Sequence, residues 1–143
     1  MRTPLRAVRD RWSARRHVAA LVRRYADAVR DADEAGFALH LERIMLLGAL
    51  EVEPRGPVSA GRRADLEIRQ GTLSLEVMTC RHAANRARAA LAIVRSPQFL
   101  RWYADTPGRP AGDVSVVSAF CAAHPADPGV LGLSVRTELV PAR

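Results

Sequence analysis

The chain has 143 residues, 48% of them apolar and 5% aromatic, which suffices for one compact domain with its own core. Its 22 basic residues are all arginine and, against 15 acidic ones, leave a formal charge of +7 that favours polyanionic partners such as DNA or RNA. No apolar run is long enough for a membrane span or a signal peptide, so the expectation is a cytoplasmic protein with Cys80 and Cys121 as reduced thiols on buried strands.

In chain order, Val18, Leu21, Val22, Tyr25 and Val29 form a helical stripe with arginines around it, which predicts a long amphipathic N-terminal helix over 1–34. Such a stripe suits either packing within the chain or pairing with a symmetry mate, a homodimer through the N-terminal helix. Asp33 is placed to cap a second helix burying Phe37, Leu41, Ile44 and Met45 and ending at Gly48. Alternation at Leu50 and Val52 predicts a short strand up to Pro54, and PRGPVSAGRR a loop. In ADLEIRQGTLSLEVMTC, Leu66 and Ile68 before Gln70-Gly71, and Leu73, Leu75 and Val77 after it, read as two strands of a hairpin. A helix over 81–94 follows, and Ser96-Pro97 gives an N-cap and first-turn proline for another through Tyr103. After the linker TPGRPAG, strands are expected at 113–121 and 130–140, separated by HPADPG. The sum is an α+β fold in one domain, 1–143: a mixed sheet of about five strands flanked by helices, with 35–143 as an αβββαββ core behind the N-terminal helix.

If Gln70-Gly71 is a two-residue turn, Asp65 and Glu76 fall opposite each other on one sheet face. Like charges about 4.5–5.5 Å apart there call for a cation or a shared proton. These residues resemble the PD-(D/E)xK nuclease motif, and residues 37–121 follow that family's αβββαβ order, a restriction-endonuclease-like core. The resemblance implies Mg²⁺ or Mn²⁺ held by Glu42, Asp65 and Glu76, and phosphodiester hydrolysis by metal-activated water. Met78 stands where the family has its lysine, which implies a weak or inactive phosphodiesterase. In the expected register Arg63 lies opposite Met78 and is assigned as phosphate clamp, while His82, just after the second strand, is assigned to proton transfer. The catalytic set is then Asp65, Glu76, Arg63 and His82. For the nucleic-acid backbone, Arg81, Arg88 and Arg95 recur every seven residues on one helix, with Arg62 and Arg63 beside the hairpin. Arg101 extends that row, and Trp12, Trp102 and Tyr103 are candidates to stack on bases, the last two being better placed to anchor their helix to the sheet.

Two other readings compete. LVRRYADAVRDADEAGFALHLERI resembles the opening helix pair of SnoaL-like polyketide cyclases and isomerases, which implies an apolar pocket with Asp65 or Glu76 as general base. The third is a dimeric interaction subunit without chemistry, offering its N-terminal helix to a partner.

Overall fold

The computed structural model describes residues 3–106 and 115–124. Of these, 89% are helical and none lies in a strand. Four helices follow one another: α1, Pro4–Val52; α2, Ala60–Val94; α3, Pro97–Asp105; and α4, Ser115–Ala123. The expected α+β fold with a five-stranded mixed sheet, and the restriction-endonuclease-like αβββαββ core with it, is overturned in favour of an all-α architecture. The first expected strand is the end of α1, both hairpin strands are the interior of α2, and 115–121 of the next belongs to α4. Cys80 and Cys121 accordingly lie on helices, and no disulfide joins them. The expected strand at 130–140, the turn beyond His124 and the linker beyond Thr106 lie outside the described residues.

Two features of α2 resolve the conflict between its strand-like sequence and its helical state. Apolar residues at 66, 68, 73, 75 and 77 alternate locally, but the same stretch carries a seven-residue repeat through Leu66, Leu73 and Cys80 and through Gln70, Val77 and Ala84. The polar residues with low helix preference also turn back onto their own helix. The hydroxyls of Thr72, Ser74 and Thr79 donate to the carbonyls of Ile68, Gln70 and Leu75 at 3.1, 3.0 and 3.0 Å. Gly71 costs about 1 kcal/mol relative to alanine in a helix interior, which a helix of 35 residues absorbs without breaking. The same argument carries α1 through Asp33 and Gly48, where a cap and a stop were expected.

The chain forms two compact units. The first comprises residues 3–29, 85–106 and 115–124 of the described chain. Its core joins Ala14, Val18 and Leu21 of α1, Ala90, Ile93 and Val94 of α2, Phe99 and Tyr103 of α3, and Val116, Val117, Phe120 and Cys121 of α4. Val18 and Leu21 of the stripe read on the N-terminal helix are thus buried within their own unit, with Val22 and Tyr25 partly buried against them. Phe99 organises the aromatic part, stacking on Tyr103 at 5.9 Å between centroids and meeting Phe120 edge-on at 5.3 Å. The Ser96-Pro97 start of α3 is as expected: Ser96 Oγ accepts from the Phe99 amide at 3.2 Å and donates to the Ile93 carbonyl at 2.7 Å.

The second unit, Arg30–Ala84, pairs 30–52 of α1 with 60–84 of α2 as an antiparallel helical hairpin. Its seam follows alternating steps of three and four residues: Ala32, Gly36, Leu39, Arg43, Leu46 and Leu50 on one side, and Leu66, Gln70, Leu73, Val77, Cys80 and Ala84 on the other. Phe37, Leu41, Ile44 and Met45, expected to form the buried face here, are instead exposed, because the seam runs along the neighbouring strip of α1. A Cβ added at Gly36 would stand 3.2 Å from Cys80 Cβ, so these two residues share a layer and the backbones run close. Arg43 interrupts the apolar seam in the layer of the fully buried Leu73, and its Nε is buried without a hydrogen-bond partner.

Two outcomes follow for unfolding in urea. Phe99→Ala removes the centre of the first unit's core and is expected to lower stability by about 3–5 kcal/mol. Arg43→Leu relieves a buried, unpaired donor while keeping an apolar stem in the seam, and is expected to raise the midpoint of the second unit by the equivalent of about 1 kcal/mol; a lower midpoint would show that the arginine contributes there.

Candidate polyanion-binding clefts

The carboxylates expected to share a metal ion are apart. Asp65 and Glu76 both lie on α2, eleven positions from each other, a separation of about 16 Å along the axis at 1.5 Å per residue. Glu42 is committed elsewhere: its Oε1 accepts from Arg69 Nη2 at 2.8 Å. That hydrogen bond, and then the charge of Glu42 itself, raise the Arg69 pKa above its ordinary value, with Glu76 adding to the effect. Among the described residues no three His, Cys, Asp or Glu side chains come together as a metal-binding group. Glu42, Asp65 and Glu76 are thus not assembled into the Mg²⁺ or Mn²⁺ site expected of them. His82 is exposed on α2 and faces no such cluster.

Arg62 and Arg63 hold the tip of the hairpin together. Arg63 Nη1 donates to the carbonyls of Leu50 and Glu53 at 3.2 and 3.4 Å, satisfying acceptors that the end of α1 leaves open. Its Nε also pairs with Glu67 at 3.3 Å, and Arg62 Nε lies 3.4 Å from Glu53 Oε2. Of the other arginines read as backbone contacts, Arg88 on α2 and Arg95 just after its end are exposed in the first unit, and Arg88 donates to Asn85 Oδ1 at 3.4 Å. Arg81 is exposed in the second unit.

Charge is divided unevenly between the units. The described residues of the first hold eleven arginines against three acidic residues, whereas the second holds seven against nine. The positive charge gathers on the N-terminal half of α1. Arg9, Arg16 and Arg23 recur every seven residues and, with Trp12, Ser13, His17 and Ala20, line an open cleft of about 510 Å³. Trp12 is 62% exposed, and the Arg16 guanidinium carbon sits 5.1 Å from its ring centroid, a cation–π contact that steadies the indole while leaving its surface accessible. On another side of the same helix Arg11 and Arg15 meet Leu100, Arg101, Ala104 and Asp105 of α3 around a second cleft of about 320 Å³. None of these six arginines makes an ion pair among the described residues. Their positive field is therefore directed at solvent and open to an anion.

The seven-residue spacing of Arg9, Arg16 and Arg23 is the same signal that singled out Arg81, Arg88 and Arg95, and it was legible beside Trp12. Among the described residues no helix is long and apolar enough to cross a membrane. Comparison with protein-family models, with curated proteins and with solved structures gives no match.

Arg63 ties the start of α2 to the end of α1. Arg63→Ala is expected to lower the urea stability of the hairpin by about 1–3 kcal/mol while leaving affinity for an oligonucleotide unchanged. A selective loss of affinity with stability intact would return Arg63 to the binding surface.

Proposed function

We propose that the protein binds nucleic acid without cleaving it, gripping a single strand with the arginine face of α1. The observation that carries this reading is the cleft of Arg9, Trp12, Arg16 and Arg23: cations spaced along one helix face, with an exposed aromatic ring among them. Guanidiniums attract and position the phosphate backbone, and an indole offers a stacking surface to any base. An unpaired strand presents base faces to Trp12, whereas a duplex encloses them, so the aromatic favours single-stranded substrate. Binding of this kind needs no metal, no nucleophile and no lysine.

The test is fluorescence anisotropy of labelled single-stranded and duplex oligonucleotides across a salt series. Affinity for the single strand is expected to fall steeply with salt, and replacing Arg9, Arg16 and Arg23 together by Gln to flatten the log–log slope by about 0.7 for every phosphate no longer neutralised. Trp12→Ala is expected to weaken single-strand binding by about 1–3 kcal/mol with little effect on duplex. Salt-insensitive binding, or an equal drop for both substrates on removing Trp12, would count against the proposal.

A further inference from the structure

The cleft between α1 and α3 combines groups that a merely cationic surface does not need. Arg11 and Arg15, one turn apart on α1, and Leu100, Arg101, Ala104 and Asp105 of α3 surround a space of about 320 Å³. That lies within the roughly 300–1,000 Å³ of pockets that hold small ligands. Leu100 and Ala104 are half-buried against the core and give the cleft an apolar wall. The three guanidiniums make no ion pair among the described residues. Donors, an acceptor and an apolar surface thus stand together within one unit.

Asp105 is the feature that phosphate binding alone leaves unexplained. Among the described residues that line the two clefts of α1 it alone is acidic, and its charge repels phosphate. Its position is also unfavourable to its own helix, because the last residue of α3 lies at the negative end of the helix dipole. Arg101 stands four residues earlier, at the spacing of a helical ion pair, and the two form none. An exposed carboxylate so placed can only accept hydrogen bonds, and its oxygens are open to a donor from outside the chain.

We infer that this cleft binds one ribonucleotide of the strand, its arginines on the phosphate and Asp105 accepting a hydrogen bond from the ribose 2′-hydroxyl, so that the preferred strand is RNA. The inference rests on the single-strand reading of the cleft at Arg9, Trp12, Arg16 and Arg23. Trp12 connects the two clefts: it follows Arg11 directly and precedes Arg15 by three residues, a step that leaves Cβ atoms about 5–6 Å apart on a helix surface. A strand stacked on Trp12 therefore reaches the second cleft with its neighbouring nucleotides. There the guanidiniums supply donors to phosphate oxygens, whereas the carboxylate holds only groups that donate. The sugar–phosphate backbone of DNA offers no donor within the strand, and every RNA sugar offers one. Leu100 and Ala104 receive the apolar side of the sugar. A base amino group also donates, but it varies with sequence and is the same in RNA and DNA of one sequence, so the sugar alone separates the two.

Fluorescence anisotropy on the full chain at fixed salt, with labelled oligoadenylate strands of one length as RNA, DNA and 2′-O-methyl RNA, tests the inference. RNA is expected to bind about tenfold more tightly than DNA, the low end for one hydrogen bond to a charged group. The 2′-O-methyl strand keeps the oxygen and loses the donor, and is expected to bind like DNA. Asp105→Ala is expected to abolish the preference for RNA, while DNA affinity holds or rises as a repulsive charge leaves. Arg101→Gln is expected to weaken RNA and DNA alike. Both side chains are exposed, so circular dichroism of the variants is expected to stay helical. Equal affinity for RNA and DNA would overturn the inference, and so would a preference that survives either Asp105→Ala or 2′-O-methylation. In those cases binding that still weakens on Trp12→Ala leaves the single-strand reading standing. Failure of all three strands to bind would instead remove that reading, and this inference with it.

Discussion

The close approach of α1 and α2 at Gly36 and Cys80 governs what the hairpin can bury. Around that layer the seam is made of small residues, with Ala32 level with Ala84, and the backbones are drawn together. Further along, Leu39, Leu46 and Leu50 of α1 and Leu66 and Val77 of α2 enter the seam. Two helices touch along one line only, however, so a side chain placed there is covered from one direction and open to water at its flanks. All five stay half-buried, and only Leu73 and Ala84 of this unit become buried. A single seam encloses a modest apolar area and contributes modestly to stability. The other large residues, among them Phe37, Leu41, Ile44, Ile68 and Leu75, lie outside it. Interhelical polar contacts then define the pairing: Arg69 to Glu42 in the middle, and Arg62 and Arg63 to the end of α1 at the tip. Exposed ion pairs are individually weak, yet these fix register in a seam whose apolar residues alone would tolerate sliding.

The first unit solves the opposite problem. Three of its aromatic residues, Phe99, Tyr103 and Phe120, fill a core with large, fully buried side chains. The outer surface of α1 is thereby free to carry arginine at 9, 11, 15, 16 and 23 without compromising packing. Dense like charge on one helix opposes folding through self-repulsion, and the core supplies the stability that offsets it. One unit thus combines a robust interior with a cationic surface, and the other a thin interior that leaves large apolar residues exposed among its charges.

How far this could be read from the residues varies along the chain. The start of α3 was legible because Ser96-Pro97 is a local signal, satisfied by bonds within a few residues. The stripe of Val18, Leu21 and Tyr25 was legible because a 3.6-residue period over several turns has no competing explanation. The interior of α2 was not. Leu66, Ile68, Leu73, Leu75 and Val77 satisfy a two-residue period and a seven-residue one together, and Gln70-Gly71 offered a turn where the helix merely tolerates a glycine. What decides between the periods is the partner strip on α1, tens of residues away. There Ala32, Leu39 and Leu46 keep one seven-residue row, while the other, through Gly36, Arg43 and Leu50, is masked because a glycine and an arginine give no hydrophobic signal. Phe37, Leu41, Ile44 and Met45 outweighed that strip in hydrophobicity and drew the buried face to the wrong side of the helix. The expected metal site went with the strands, since Asp65 and Glu76 met only across a hairpin. The arginines at 62 and 63 were noticed for their charge, but their role depends on carbonyls at the end of another helix that no local pattern reveals. The cationic cleft, by contrast, repeats at 9, 16 and 23 within the stretch that was expected to be helical from the start.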